Sequence, residues 1–257
     1  MTHHPIPADL TPGICSVTLR SHGIDEVVRI SAEAGLAGIE WGTDVHVSDA
    51  ESAAHAREAT VNAGMTVLSL GSYYRCGAFG DFASVLGLAT GLGAPRVRVW
   101  AGELGSAGAS QEHWNSVVKD SQRIADLAAE RGVAIAFEYH GNTLTDSPAT
   151  TLELLDLVDH PNIGTYWQPA VGLSDQEAID SLQQVLPHIA GVHCFSWGPA
   201  AERFPLQQRS TLWRTVTETL RENGKDLDLM LEFVEDDLPD NVLSDAAFLH
   251  SITLGED

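Results

Sequence analysis

The stretch VAIAFEYH, residues 133–140, decides the fold. Its first five residues are apolar without polar alternation, and Glu138 and His140 follow at once. An unbroken apolar run of this length is typical of a parallel strand that is buried on both faces. Polar side chains directly after such a strand are expected at the edge of a parallel sheet where functional sites form.

Seven similar runs lie before and after this stretch, and helix-like segments separate them. The segments of residues 24–35 and 113–132 have apolar positions at helical spacing and end on Gly35 and Gly132, which suit helix C-termini. A third segment begins at residue 175 and is predicted to stop near Val185, because a proline follows. The other predicted strands are residues 13–18, 38–41, 66–70, 96–101, 163–167, 191–195 and 228–233.

Eight strand–helix pairs in one unbroken series predict an α/β protein with a single (β/α)8 TIM barrel. The chain has 257 residues, which suits a barrel of about 250 residues. No Ser/Gly-rich linker divides it, so residues 1–257 are predicted to form one domain. The alternative is an open doubly wound sheet, but no GxGxxG turn follows the first predicted strand.

The composition limits the classes of partner. The chain has 36 acidic and 14 basic side chains, a net charge of -22, and such a surface repels nucleic acid. No stretch approaches the roughly 20 continuous apolar residues of a membrane span, and residues 1–10 lack a signal pattern. We therefore expect no nucleic-acid partner, no membrane partner, a cytoplasmic location and three reduced cysteines. A homo-oligomer is compatible with the sequence, which does not specify one.

Four polar side chains follow directly on the last four apolar runs. They are Glu138, Gln168, His193 and Glu232. Two carboxylates, one imidazole and one amide oxygen form a plausible ligand shell for Mn²⁺ or Mg²⁺. The alternative is that Glu138 and Glu232 pair with arginines inside the barrel and that His193 is a hydrogen-bonded core histidine.

Other polar and aromatic residues at the predicted strand ends are candidates for a substrate pocket. An aromatic wall with a few polar groups suits a small-molecule sugar. The two arginines of this set are candidates for binding a phosphate or carboxylate, but the absence of a Gly-rich phosphate loop favours an unphosphorylated substrate. The predicted substrate-binding residues are His46, Tyr74, Arg75, Trp100, His140, Trp197 and Arg203.

The series of strand-end residues resembles the xylose isomerase-like barrels of the sugar phosphate isomerase/epimerase superfamily. Many members bind a divalent metal with Glu on the fifth strand, Asp on the sixth, His or Gln on the seventh and Glu on the eighth. Glu138, His193 and Glu232 match that pattern, and Gln168 stands at the Asp position. Val171 is a second departure, since epimerases of this type often have a histidine there.

Two glutamates beside a metal suit proton abstraction next to a carbonyl, through a metal-stabilised enediolate. Glu138 and Glu232 are therefore the predicted catalytic residues, one taking the proton and the other returning it. We predict a metal-dependent sugar isomerase or epimerase. The alternatives are a lyase or dehydratase acting on an oxidised sugar or glycoside, and a sugar-binding barrel without catalysis. Endonuclease action, known in the same superfamily, is disfavoured by the acidic surface.

Overall fold

The computed structural model describes residues 8–255 of the chain. Residues 1–7 and 256–257, which the sequence analysis includes in its single domain, lie outside the described residues. Within residues 8–255, no helix is long and apolar enough to cross a bilayer.

Eight parallel strands close into a barrel, as the sequence predicts. Their order around the barrel is β1-β10-β7-β6-β5-β4-β3-β2, and every neighbouring pair is parallel. The barrel strands are β1 (Leu10–Cys15), β2 (Gly38–Gly42), β3 (Thr66–Arg75), β4 (Arg96–Trp100), β5 (Ala134–Phe137), β6 (Ile163–Trp167), β7 (Ile189–Cys194) and β10 (Leu227–Leu231).

Helices follow the barrel strands and form the outer layer. Side chains cap several of their N-termini: Asp49 and Ser174 form capping boxes, and Ser147 precedes a proline at the start of its helix. The helix predicted to stop near Val185 ends there. The helices are α1 (Ile24–Glu33), α2 (Ala50–Asn62), α3 (Phe82–Leu92), α4 (Gln111–Ala129), α5 (Pro148–Val158), α6 (Asp175–Val185), α7 (Ser210–Asn223) and α8 (Pro239–Leu254).

Two details differ from the prediction. The first strand was predicted to continue to Thr18, but it ends at Cys15, and Ser16–Leu19 form a buried 3₁₀ turn. An additional antiparallel hairpin, β8 (Ser196–Trp197) and β9 (Arg203–Phe204), lies in the loop after β7. Paired segments of two residues are too short to give an alternating pattern in the sequence.

The buried residues form two hydrophobic clusters. The large cluster fills the space between the barrel and its helices. The small cluster includes Leu68, Tyr166 and Met230 and is separate from it. Glycines make room for these side chains: a Cβ on Gly13 would lie 2.4 Å from Leu68 Cδ1, and one on Gly38 would lie 2.7 Å from the Thr66 carbonyl oxygen. These two positions therefore have no room for a side chain larger than that of glycine.

We expect Gly38→Ala to destabilise the protein, because the added Cβ meets backbone of the neighbouring strand. The expected loss is about 2 kcal/mol of unfolding free energy, a common value for overpacking a core. Chemical denaturation of purified protein measures it. Gly87→Ala is the control, since Gly87 is exposed on α3 and a Cβ there meets nothing within 4 Å. That control should be neutral or more stable, and equal loss in both variants would contradict the account.

Candidate active site

Four side chains from neighbouring strands meet at the C-terminal end of the barrel. Glu138 follows β5, Gln168 follows β6, His193 lies on β7, and Glu232 follows β10. Each is at most 8% exposed. One carboxylate oxygen of Glu138, one of Glu232 and a ring nitrogen of His193 lie within 4.8 Å of one another. The structure therefore brings together the four residues that the sequence analysis selects as metal ligands.

His193 Nδ1 faces the oxygens of this group. It lies 2.9 Å from Gln168 Oε1 and 3.4 Å from Glu232 Oε2. Adjacent ligands of an octahedral ion with bonds of about 2.1 Å are separated by about 3 Å. The other ring nitrogen, Nε2, is buried and has no hydrogen-bond partner within residues 8–255. The buried histidine is therefore hydrogen-bonded at Nδ1 and lacks a partner at Nε2, so it fits the alternative of a hydrogen-bonded core histidine only in part.

Arg98 is the residue of this site that the sequence analysis missed. Its Nε donates to Glu40 Oε1 at 3.1 Å, and its Nη1 donates to Glu138 Oε2. Gly71 leaves room for this contact, since a Cβ there would lie 2.8 Å from Arg98 Nη2 and 2.9 Å from Glu40 Oε1. The alternative prediction was that Glu138 pairs with an arginine inside the barrel. It is correct for one of the two carboxylate oxygens of Glu138. Within residues 8–255, no arginine or lysine forms an ion pair with Glu232.

Glu40 is the centre of a buried hydrogen-bond network. Its Oε2 accepts hydrogen bonds from Ser69 Oγ at 2.6 Å and from Tyr166 Oη at 2.8 Å. Burial raises the pKa of Glu40, but the charge of Arg98, the nearby His193 and the Ser69 hydroxyl outweigh it and hold the pKa well below its usual value. Burial and the nearby Glu40 and Glu232 raise the pKa of the Cys15 thiol, which therefore stays neutral.

The charges of this cluster fit a divalent cation. Three buried carboxyl groups, those of Glu40, Glu138 and Glu232, lie around one guanidinium, that of Arg98, so their formal charges leave an excess of negative charge. A buried net charge of this size is costly unless a cation compensates it. Carboxylate, amide and imidazole donors suit Mn²⁺ or Mg²⁺. The residues present therefore fit one divalent ion held by Glu138, Gln168, His193 and Glu232.

A cavity of about 350 Å³ opens above Glu138, Gln168 and Glu232. One imidazole, that of His140, and one further carboxyl group, that of Asp146, also line it, and the remaining walls are mostly aromatic or apolar. His140 Nδ1 lies 2.6 Å from the Gly141 carbonyl oxygen, so Nδ1 carries the proton and Nε2 is free. The apolar walls are formed by Tyr139, Pro169, Ala170, Val171, Phe195, Trp197 and Phe233.

Five of the predicted substrate-binding residues lie at or behind this cavity. His140 and Trp197 line it directly. Trp100 stacks on His140 with ring centroids 4.5 Å apart, and the Arg75 guanidinium lies 4.2 Å from the centre of the Trp100 ring. Arg203 packs on Trp197 and on Phe233, another wall residue, and forms an ion pair with Asp237.

Tyr74 and His46 are not brought to the cavity. Tyr74 Oη donates to Asp120 Oδ2 at 2.8 Å, and its ring packs edge-on against Phe82 in the helix layer. Adjacent strand residues face opposite sides, and it is Tyr73 that stands at the barrel mouth, 44% exposed and 5.8 Å from Trp100.

The His46 ring is held between the ends of β1 and β2. Its nitrogens lie 3.0 Å from Ser16 Oγ and 2.9 Å from the His22 carbonyl oxygen. Burial lowers the pKa of His46. Both of its nitrogens therefore have protein partners.

Comparison with known proteins agrees with this geometry. A model of the xylose isomerase-like TIM barrel family matches residues 28–252. A 3-dehydroshikimate dehydratase of Bacillus anthracis is 28% identical over 199 residues, 70% of this chain and 69% of the dehydratase.

Two solved structures share the fold. D-psicose 3-epimerase of Clostridium cellulolyticum H10 has a TM-score of 0.73 and 13% identity, covering 95% of this chain and 99% of the epimerase. A xylose isomerase-like TIM barrel protein of Mycobacterium smegmatis, in complex with magnesium, has a TM-score of 0.70 and 14% identity. That match covers 96% of this chain and 97% of the other.

Replacing Gln168 with Asp should tighten Mn²⁺ binding, because a carboxylate is a stronger ligand than an amide for a hard cation. The expected gain is on the order of tenfold, or about 1.4 kcal/mol. Calorimetric titration with Mn²⁺ measures it. Gln207→Asp, at an exposed position, adds the same charge elsewhere and should leave the affinity unchanged. Equal or weaker binding by the Gln168→Asp protein would show that Gln168 is not a ligand.

Proposed function

The chain belongs to the xylose isomerase-like TIM barrel family, and on that premise we propose that it is a divalent-metal-dependent dehydratase. It would remove a proton next to a carbonyl group and expel water from the neighbouring carbon. The observation that carries this proposal is the group of Glu138, Gln168, His193 and Glu232 at the floor of an aromatic-walled cavity. The dehydratase relative supports this reaction over the isomerisation that the sequence analysis ranked first.

The cavity walls favour a small cyclic substrate. Beyond the proposed metal ligands, the polar groups on its lining side chains are those of His140 and Asp146, the Tyr139 hydroxyl and the Trp197 indole N–H. An open-chain sugar has a hydroxyl group on almost every carbon, and each one needs a partner when it is buried. A flat ring with few hydroxyl groups instead places its faces against Trp197, Phe195 and Phe233. The aromatic walls therefore favour an oxidised, ring-shaped substrate such as 3-dehydroshikimate.

The two glutamates are not equivalent as bases. Arg98 holds one oxygen of Glu138, whereas within residues 8–255 no arginine or lysine forms an ion pair with Glu232, whose Oε2 lies 3.4 Å from His193 Nδ1. Epimerisation needs proton transfer on both faces of one carbon, for which two similar groups are suited. In a dehydration one carboxylate can take the proton and then give it to the leaving hydroxide. The asymmetry therefore supports dehydration, with Glu232 as the base and Glu138 as a fixed negative charge.

The proton transfers follow from this arrangement. Glu232 takes the proton from the carbon next to the carbonyl, and the bonding electrons move to the carbonyl oxygen. When the electrons return, the bond to the neighbouring hydroxyl group breaks, and Glu232 gives the proton that it took to the leaving hydroxide, which becomes water. A bound divalent ion would supply Lewis acidity that stabilises the negative charge on the carbonyl oxygen. The products are an unsaturated carbonyl compound and water.

Isomerisation or epimerisation of a sugar is the second candidate. Glu138 and Glu232 both line the same cavity, as a reaction with two proton transfers requires. Its first step is the same proton abstraction, so the two reactions differ in whether water is lost.

We expect the Mn²⁺-loaded protein to convert 3-dehydroshikimate, or a related cyclic oxo compound, with loss of water. NMR in deuterated water follows both proton exchange and product formation. Exchange without loss of water would favour the epimerase, and a sugar panel containing ketoses and 3-oxo sugars would then identify its substrate. No exchange and no product with any of these compounds would contradict the proposal.

Glu232→Gln keeps the shape of the side chain but removes the base. The expected fall in kcat is about 10²- to 10⁴-fold at saturating Mn²⁺, the usual contribution of a general base. Glu218→Gln, at an exposed position of α7, is the matched control and should retain the wild-type rate. Wild-type turnover by Glu232→Gln would assign the base to another residue, with His140 next in order.

A further inference from the structure

His193 Nε2 faces away from the proposed metal ligands and toward Glu40. The side chain is completely buried, and this nitrogen has no hydrogen-bond partner within residues 8–255. Glu40 Oε1 lies 3.4 Å from it, slightly longer than an ordinary hydrogen bond. The Tyr166 ring packs edge-on against the imidazole, with centroids 4.9 Å apart at 88°. The ring therefore has a carboxylate on one side and the metal ligands on the other.

The Glu40 carboxylate is held in place from several directions. Ser69 Oγ and Tyr166 Oη donate to Oε2 at 2.6 and 2.8 Å, and Arg98 Nε donates to Oε1 at 3.1 Å. Glu40 is 2% exposed. These contacts leave Oε1 directed at His193 and prevent the carboxylate from rotating away. A carboxylate fixed in this way accepts a hydrogen bond at one defined point.

We propose that Glu40 is a positioning residue that accepts the Nε2–H of His193 and so commits the Nδ1 lone pair to the divalent ion. A neutral imidazole has one N–H group, and the partner of that group decides which nitrogen is free to bind a metal. Nδ1 is the nitrogen that lies 2.9 Å from Gln168 Oε1 and 3.4 Å from Glu232 Oε2, two acceptors that hold a proton on Nδ1 when no ion is bound. An ion bound at Nδ1 would displace that proton, and Glu40 would accept the N–H that then lies on Nε2. This inference rests on the metal-dependent function proposed above and names the residue that orients one of its ligands.

A second ion between Glu40, His193 and the nearby Cys15 is a weaker explanation of the same geometry. These three residues also have ligand atoms within 4.8 Å of one another. However, Arg98 already donates to the Glu40 oxygen that such an ion needs, and its positive charge repels a cation there. Oε1 of Glu40 is therefore better suited to accept a proton from His193 than to bind a metal.

The test compares Glu40→Gln with Asp120→Asn. Asp120 is also a fully buried carboxylate with an arginine partner, Arg123, and a tyrosine donor, Tyr74, but it lies on α4 outside the barrel. Calorimetry with Mn²⁺ alone should show about 10- to 100-fold weaker binding for Glu40→Gln. Asp120→Asn should bind Mn²⁺ as wild type does, although both variants lose a buried charge.

A second readout is the NMR signal of the His193 Nε2 proton in the Mg²⁺-loaded proteins. Wild type and Asp120→Asn should show it shifted downfield by the carboxylate, and Glu40→Gln should show it upfield of that position. If Glu40→Gln does not fold, Glu40→Asp keeps the charge beside Arg98 but withdraws the carboxylate, and the same loss of affinity is expected.

Wild-type Mn²⁺ affinity in the folded Glu40 variant, or equal loss in both variants, would overturn this inference alone. Absence of Mn²⁺ binding by the wild-type protein would overturn the proposed function and this inference with it.

Discussion

The ion pairs that Arg98 forms inside the barrel are the interaction on which the site depends. Three glutamates are buried at the C-terminal end of the strands, and one guanidinium contacts two of them. Removing one partner of a buried ion pair costs about 3–5 kcal/mol, because the other charge is left uncompensated. Gly71 provides the space for this contact. Arg98 therefore both stabilises the barrel and fixes Glu40 and Glu138.

The ion pairs of Arg98 also place the three carboxylates in different surroundings. Arg98 contacts Glu40 and Glu138, and the cluster that remains has the net charge that one divalent ion neutralises. Glutamine at position 168 is consistent with this balance, since an aspartate there would add a further negative charge. Glu232, with which no arginine or lysine of residues 8–255 forms an ion pair, is the carboxylate to which we assign proton abstraction. The two carboxylates that line the cavity are thus in different surroundings, which is the asymmetry on which the proposed dehydration rests.

The sequence was sufficient to predict the barrel and the four proposed ligands, because each feature is local. Apolar runs mark buried parallel strands, and polar residues directly after them mark the strand ends. Arg98 was missed because it stands inside such a run, RVRVW, although charged residues at alternate positions share one face of a strand. Tyr74 was chosen in place of Tyr73 because a shift of one residue reverses the direction of a strand side chain. The strand register decides which side chains point into the barrel, and the sequence alone does not give that register.

Crystallography of the protein soaked in Mn²⁺, with anomalous scattering to locate the ion, tests the central claim most directly. The account predicts one Mn²⁺ peak in contact with Glu138, Gln168, His193 Nδ1 and Glu232, beside the aromatic-walled cavity. A peak elsewhere, or an ion-free site in which these four side chains point apart, would contradict it.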